Sequence, residues 1–345
     1  MPRPLTIFAL LWAACLAPSL ARAQNDQIFG AKGTPTRGSI TSITPNQVLI
    51  NVSGVPRTFE VKDIVRVTFG DDPDALPRAR EKVLAGEWED ALASLAKIDA
   101  SKVTSDGVKQ DLDFYLALCT AKLALGEKAE KPKAASMLFK FKKENPNSYH
   151  FYEAAQVLGD LSVALGKFDM ASGFYSELAK APWPEYQLKA TILESHSLMA
   201  AGKYPEALAK FEQVISTGAA TNEGNEQRLF ATIGKAECLA ASGQSAIGIK
   251  LLEEIIEKQD SSDGKLFGRA YNALGACYAK SGKPKEAVLA YLHTDLLFNS
   301  ESETHAESLY RLSKLWGDIN QPDRVKRARE SLQSNYPDSR WAARK

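Results

Sequence analysis

The residue types that carry hydrolytic or metal chemistry are present, but their spacing does not assemble a catalytic motif. Residues 305–307 read His-Ala-Glu, the order of a deaminase zinc motif, yet that chemistry needs a downstream Pro-Cys-x-x-Cys to hold the metal. No cysteine follows Cys277. Ser195 and His196 are sequence neighbours, so they point about 100° apart around a helix and cannot form a nucleophile–base pair with each other. The sequence therefore predicts no catalytic residue, no metal site and no cofactor.

Glycine–lysine pairs recur along the chain, and such a pair closes the phosphate-binding loop of many nucleotide-binding proteins. That loop requires the pattern GxxxxGK followed by Ser or Thr. The pairs that begin at Gly166, Gly202 and Gly282 are not followed by Ser or Thr. We interpret them as turns between helices.

Neighbouring carboxylates and lysines are interpreted as solvated surface. Acidic pairs such as Asp111 with Asp113 and Glu253 with Glu254 are expected on exposed helix faces. The stretch 127–144 holds six lysines among three glutamates. A mildly basic helix surface explains this stretch, and a local site for an acidic partner is the alternative.

The overall charge balance excludes some classes of partner. The chain has 345 residues, with 43 Lys and Arg against 42 Asp and Glu, and 44% of its residues are hydrophobic. This is the composition of an ordinary folded protein. Binding to nucleic acid or to an anionic membrane needs a clustered excess of positive charge. We therefore expect no nucleic-acid partner.

The first residues have the composition of an export signal. A basic start at Arg3 precedes an apolar run over residues 5–16, and Ala21 and Ala23 are the small residues that signal peptidase reads. The run is shorter than the ~20 apolar residues that span a bilayer. We predict that residues 1–23 are a signal peptide cleaved after Ala23, which leaves no integral membrane segment and an exported, periplasmic or secreted protein.

Three cysteines follow the predicted signal peptide. Cys119, Cys238 and Cys277 are widely spaced and form no Cys-x-x-Cys pair. Each lies on an apolar helical stripe, so we interpret them as small buried hydrophobic residues. A disulfide between Cys238 and Cys277 is the alternative, since export permits one.

Residues 24–72 have the pattern of short β-strands. Turn signals at residues 44–46 and 53–56 separate runs that alternate between β-branched or aromatic and polar residues. About 45 residues cannot form two packed sheets, but a small curled sheet can bury one face. We expect four or five strands in a miniature SH3-like or Sm-like β-barrel, with Gly38 and Gly54 at bends or turns. The stacking aromatics of single-stranded RNA sites are missing.

From residue 73 to 345 the sequence is helical and repetitive. Its clearest unit has Leu274-Gly275, then Gly282-Lys283, then Ala287 and Tyr291. The small residues that recur in the second helix of each unit are Ala91, Ala134, Ala171, Ala207, Gly248 and Ala287. Apolar residues three or four apart give each helix one buried stripe, and a Gly after the first helix lets the chain reverse into the second. Such helix-turn-helix units bury their apolar faces only by stacking.

These residues resemble the tetratricopeptide repeat (TPR) family over residues 75–340, in about seven units. The match rests on Leu-Gly and Tyr in the first helix, the Gly turn, and Ala followed by an aromatic in the second helix. The segments 145–148 and 336–339 are similar to junctions of exported bacterial TPR proteins. The resemblance implies a mainly α fold, a right-handed α-solenoid. Spacings longer than the regular ~34 residues predict an irregular superhelix.

The family geometry implies that the first helix of each unit lines a groove for a protein or extended peptide. Alignment of the Leu-Gly positions places nine residues there: Gln156, Asp160, Lys189, Ile192, His196, Ile233, Glu237, Arg269 and Asn272. The lysine, arginine and asparagine set by which some relatives clamp a peptide carboxylate cannot be assembled here. The resemblance thus implies a partner without naming it.

We expect an exported, periplasmic, non-enzymatic scaffold or adaptor that binds a protein or peptide partner. One alternative is an accessory or hydrolytic enzyme of cell-envelope polymers, with a site between the barrel and the solenoid. Acids or histidines that converge at that junction would favour it. A second alternative is a structural envelope protein held in an assembly by its terminal units.

Overall fold

The structure, a computed structural model, describes residues 26–31, 33–126, 128–217, 221–337 and 339–344. The predicted signal peptide and its cleavage after Ala23 lie outside these residues. In the part that is described, a small β-sheet precedes a long series of helices. None of the helices in these ranges is both long enough and apolar enough to cross a bilayer.

The sheet contains five antiparallel strands joined in the order β4-β3-β2-β1-β5. The strands are β1 (Asp26–Gly30), β2 (Thr36–Ile43), β3 (Gln47–Val52), β4 (Val55–Glu60) and β5 (Ile64–Thr68). This confirms the predicted number of strands. Closure into a barrel would bring β4 against β5, which lie at opposite ends of this order, so the barrel stays a prediction.

Two glycines allow the sheet to bend and turn as expected. A Cβ added at Gly38 would lie 2.2 Å from the carbonyl oxygen of Asn51, so β2 approaches β3 closely only without a side chain. Gly54 joins β3 to β4 with φ of +89°. The buried Asp26 also holds the sheet together, because its carboxylate accepts hydrogen bonds from the amides of Ile40 and Gly70 at 2.8 and 3.0 Å.

Fourteen helices follow in the described residues, and they form seven antiparallel pairs. The pairs are α1 (Ala75–Ala85) and α2 (Trp88–Leu95); α3 (Asp106–Leu125) and α4 (Lys131–Glu144); α5 (Phe151–Ala164) and α6 (Phe168–Leu178); α7 (Pro184–Ala200) and α8 (Tyr204–Thr217); α9 (Asn222–Ala241) and α10 (Ser245–Lys258); α11 (Gly264–Lys280) and α12 (Pro284–Leu297); α13 (Ser302–Asp318) and α14 (Pro322–Asn335). Each pair is one unit of the solenoid, which confirms the seven predicted units.

The repeated glycines have the two roles that the spacing predicts. Gly166, Gly202 and Gly282 have φ between +69° and +75° in the turn between paired helices, a conformation that residues with a Cβ rarely adopt. The Gly-Lys pairs are therefore turns. Gly159 has a second role, because a Cβ there would lie 2.2 Å from the ring of Tyr175 in the partner helix. The absence of a side chain lets the two helices of this unit pack closely.

The sheet and the first three units share one hydrophobic core. It runs from Ile28 in β1 through Leu118 in α3 to Phe174 in α6. Units four to six contain a separate core, and the last units contain two smaller ones. The sheet is thus built into the solenoid, and Phe69, just after β5, packs against Gly107 at the start of α3.

The cysteines are buried free thiols in the described structure. Cys238 donates toward the carbonyl oxygen of Tyr204 at 3.4 Å, and Cys277 donates toward that of Ala236 at 3.8 Å. The structure therefore favours the interpretation as small buried residues over a bridge between Cys238 and Cys277.

Candidate partner-binding surface

The odd-numbered helices, which begin each unit, place charged side chains from different units close to one another. We call this the inner surface and define it by Lys122, Glu153, Asp160, Lys189, His196, Glu237, Lys265, Arg269, Glu307 and Arg311. These residues come from six helices, α3 to α13. Because a charge affects a pKa only at short range, the electrostatic effects described below indicate that side chains of neighbouring units lie near one another.

The predicted groove residues fall into three environments. His196 and Arg269 are exposed, and Gln156, Asp160, Lys189 and Glu237 are half-buried. Ile192 and Ile233 are buried and belong to the hydrophobic core of units four to six. Asn272 is only 5% exposed, and its amide donates to the carbonyl oxygen of Thr304 at 2.8 Å. Asn272 thus joins α11 to α13 and does not offer its amide hydrogens to a partner.

The N-terminal half of the inner surface combines lysines with carboxylates. Burial lowers the pKa of Lys189, although Glu153 and Asp160 oppose this effect. Burial raises the pKa of Asp160, although Lys122 and a hydrogen bond from the Tyr175 hydroxyl at 2.9 Å oppose that rise. These groups thus neutralise one another only in part.

The C-terminal half contains a carboxylate that is poorly stabilised in its charged form. Burial, and then repulsion by Glu307, raises the pKa of Glu237 to about 7, although Arg311 and Arg269 oppose the rise. The guanidinium of Arg311 donates to Glu307 at 3.2 Å. Glu237 therefore changes charge near neutral pH, and a cationic partner group would favour its ionised form.

Two cations flank an aromatic ring between these halves. The Lys265 ammonium and the Arg269 guanidinium lie 5.0 and 4.7 Å from the ring centre of Phe230. Arg269 also opposes protonation of His196, whose pKa is lowered first by the surrounding protein and then by this charge. Lys265, Lys122, Glu153, Glu307 and Arg311 are not among the residues that the family alignment places in the groove. All five lie on first helices, and only that position could have indicated them from the sequence, because the alignment of the Leu-Gly positions covers few turns of each helix.

A second group of titratable residues lies at the junction between the sheet and the solenoid. The Arg80 guanidinium, 0% exposed, pairs with Asp72 after β5 and donates two hydrogen bonds to Asp111 in α3 at 2.7 and 3.0 Å. Burial by itself would raise the pKa of Asp111, but Arg80 and His150 outweigh it and keep the pKa below its ordinary value. The expectation that Asp111 lies on a solvated face is wrong, since it is 1% exposed.

His150 extends this junction cluster toward α5. Its Nε2 lies 3.2 Å from Asp111 and its Nδ1 lies 3.7 Å from Glu153. The ring stacks on Phe114, with ring centres 3.7 Å apart. Burial disfavours the imidazolium, but the two carboxylates outweigh it and raise the pKa of His150 above its ordinary value.

Acids and a histidine therefore do converge at the junction, and this is the arrangement that would favour the hydrolytic alternative. The contacts of these groups are directed at one another, however. Asp111 receives hydrogen bonds from Arg80 and from the Tyr149 hydroxyl in addition to its contact with His150. The adjoining cavity measures about 130 Å³ and is lined by His150 and Glu153 of this cluster, together with Tyr115, Tyr186 and residues of the sheet. It is below the ~300 Å³ at which small-molecule sites begin.

Comparisons with known proteins identify the fold. No protein-family model matches the chain, and no curated protein is significantly similar to it. A tetratricopeptide repeat protein from Parabacteroides merdae ATCC 43184 shares 14% identity, covering 79% of this chain and 98% of its own, with a TM-score of 0.50. NprR in complex with its cognate peptide NprX shares 15% identity, covering 78% and 83%, with a TM-score of 0.54. At these identities the similarity establishes a TPR-type solenoid.

Proposed function

We propose that this TPR-type protein is a non-enzymatic scaffold that binds another protein or an extended peptide along its inner surface. One observation carries the proposal. Six consecutive first helices carry charged side chains that affect those of neighbouring units, and several of these charges are only partly neutralised. A row of incompletely paired charges suits a long partner better than a compact small molecule.

The similar structures support this proposal in a limited way. NprR has the same fold and is described in complex with a peptide. The inner surface of this chain carries both signs of charge, so its partner should also present alternating acidic and basic groups. Complementary charge of this kind determines partner choice and association rate more than total affinity.

Export is part of the proposal. Its support is the basic start, the apolar run and the small residues before Gln24. N-terminal sequencing of the protein recovered from the producing cell would check it. A mature chain that begins at Gln24 supports export, and a chain that retains residues 1–23 contradicts it.

The junction cluster is a structural element in this proposal, and the hydrolase alternative is the less supported one. Catalysis would need an acid or base with a free position toward a substrate. Arg80 donates hydrogen bonds to both Asp72 and Asp111, and His150 has a carboxylate near each ring nitrogen.

The proposal is tested by affinity purification from envelope extract with the chain from residue 24. The inner-surface variant carries Lys189→Glu with Arg269→Glu. The matched control carries Lys250→Glu with Lys285→Glu, which makes the same charge change on exposed positions of the second helices α10 and α12.

We expect one partner that the wild type and the control retain and the inner-surface variant loses by at least ten-fold. Thermal unfolding of all three proteins verifies that the variants are folded. Equal retention by both variants would show that the inner surface is not the binding surface.

A further inference from the structure

A pocket of about 430 Å³ lies outside the inner surface, between the second helices α4 and α6. We call it the edge pocket and define it by Phe139, Lys142, Lys143, Phe151, Glu177 and Lys180. Three of these residues belong to α4, and Phe151 is the first residue of α5. Phe139, Lys142 and Lys143 lie in the lysine-rich stretch 127–144, for which the sequence allows either a solvated surface or a site for an acidic partner.

One lysine of the pocket is already paired with other residues of the chain. Lys142 is 9% exposed and pairs with Glu177. Its ammonium also lies 5.3 Å from the ring centre of Phe151 and 5.0 Å from that of Phe174. The pair therefore forms a neutral, fixed wall, and Glu177 is not available to neutralise the other two lysines.

The other two lysines are open to a ligand. Lys143 and Lys180 are exposed, and among the described residues neither side-chain ammonium has a hydrogen-bond or ion-pair partner. They give the pocket a net positive charge beside its neutral wall. Each ammonium can pair with a carboxylate of a ligand.

The rest of the lining is apolar. Phe139 is 52% exposed, although aromatic side chains of this size are usually buried, and Pro146 and Phe151 continue the same wall. A volume of about 430 Å³ accommodates one large side chain with its flanking backbone. The pocket thus combines an apolar wall with two cations at its rim.

We propose that the edge pocket binds an acidic peptide segment in which a carboxylate lies next to a large apolar side chain. The apolar side chain would contact Phe139 and Phe151, and the carboxylates would pair with Lys143 and Lys180. Phosphate backbones are a poorer match, because they need a longer array of cations and no apolar wall. This site is separate from the inner surface and does not depend on the function proposed for it.

The test is isothermal titration calorimetry with three capped peptides: acetyl-Glu-Phe-Glu-amide, acetyl-Gln-Phe-Gln-amide and acetyl-Lys-Phe-Lys-amide. The protein is the chain from residue 24. The pocket variant carries Lys143→Glu with Lys180→Glu. The matched control carries Lys133→Glu with Lys140→Glu, which makes the same charge change at exposed positions of α4 outside the pocket.

We expect the acidic peptide to bind at least ten-fold more tightly than the basic one, and the pocket variant to lose at least ten-fold in affinity. The control should lose less than three-fold. Phe139→Ala, at an exposed position, should weaken the acidic and the neutral peptide by a similar factor of three or more. Lys189→Glu with Arg269→Glu should leave all three affinities unchanged.

Three results would overturn the proposal. The first is no binding of the acidic peptide at millimolar concentration. The second is an equal loss in the pocket variant and the control, which indicates long-range attraction only. The third is sedimentation with phosphatidylglycerol vesicles that the pocket variant abolishes while the acidic peptide fails to bind, which would assign the lysines to a lipid surface.

Discussion

The junction cluster and the inner surface are built from the same residue types but in opposite environments. At the junction, Arg80 and Asp111 are fully buried and satisfy each other. On the inner surface, Arg269 and His196 are exposed, and Arg269 contacts an aromatic ring. Charges whose partners lie within the chain stabilise an architecture, whereas charges without a matched internal partner are available to another molecule.

The packing around the two regions differs in the same sense. The junction lies inside the core that joins the sheet to the first three units. The hydroxyl of Tyr152 donates to Asn46 at 2.9 Å, and Lys62 pairs with Glu185 at 3.5 Å, so further contacts attach the sheet to α5 and α7. The inner surface, by contrast, is supported by separate cores in successive units. The sheet therefore behaves as part of the solenoid, not as a tethered module.

Substitution of the two arginines should give the largest difference. Arg80→Met removes the arginine partner of the buried Asp72 and Asp111 and leaves Asp111 with only His150 as a cationic neighbour, which costs about 3–5 kcal/mol in the free energy of unfolding. Arg269→Met removes an exposed guanidinium and should change that free energy by less than about 0.5 kcal/mol. Urea unfolding followed by circular dichroism measures both.

The arginine comparison fails if both variants lose similar stability. That result would mean that the Arg80 network is open to water in solution. Arg78→Met, at an exposed position of the same helix α1, controls for the change in helix propensity.

Alanine substitutions at two glycines of the third unit, one at a helix contact and one at the surface, should differ less in the free energy of unfolding than the two arginine variants do. Gly159→Ala places a methyl group 2.2 Å from the Tyr175 ring, and overpacking of this kind costs about 1–3 kcal/mol. Gly173→Ala in α6 meets no atom within 4 Å and should stabilise the protein by up to about 1 kcal/mol, because Ala is the better helix former. Thermal unfolding should give shifts of opposite sign. Shifts of the same sign would show that α5 and α6 are not packed as closely as described.

The smallest effects should come from the two histidines, and they should have opposite pH dependence. The raised pKa of His150 means that its proton stabilises the fold at pH below the ordinary value of ~6.5, and that this contribution is lost as the pH rises through the folded-state pKa. The stability difference between wild type and His150→Gln should therefore decrease with rising pH. For His196 the pKa is lowered, so its protonation opposes folding and wild type should lose stability relative to His196→Gln as the pH falls below ~6.5.

Unfolding measured from pH 5 to 8 in one buffer series tests these slopes. The effect of His196 should be the weaker one, since its side chain is exposed and solvent screens it. Parallel slopes for the two variants would contradict the assignment of different environments to the two rings.

The helical repeat could be predicted because its signals are local. A Gly such as Gly282 after an apolar helix, followed by Ala287 and Tyr291, specifies a turn and a packing contact within one unit. The five strands also followed from alternation and turn residues. In the candidate surface, Arg269 and His196 are exposed, whereas Asn272, which the family alignment places in the groove, is buried. Its amide is bonded to the next unit, and that depends on how far one unit is rotated against the next.

The sequence by itself determined the order of strands and helices, the seven units and their turns, because neighbouring residues encode these through periodicity and backbone conformation. Only the tertiary structure decided which charged residues meet. Asp72, Arg80, Asp111 and His150 come from four separate segments, and the inner surface draws on six helices. Whether a charge becomes buried and paired or stays open to a partner depends on the superhelical path of the whole chain, and no local pattern records that path.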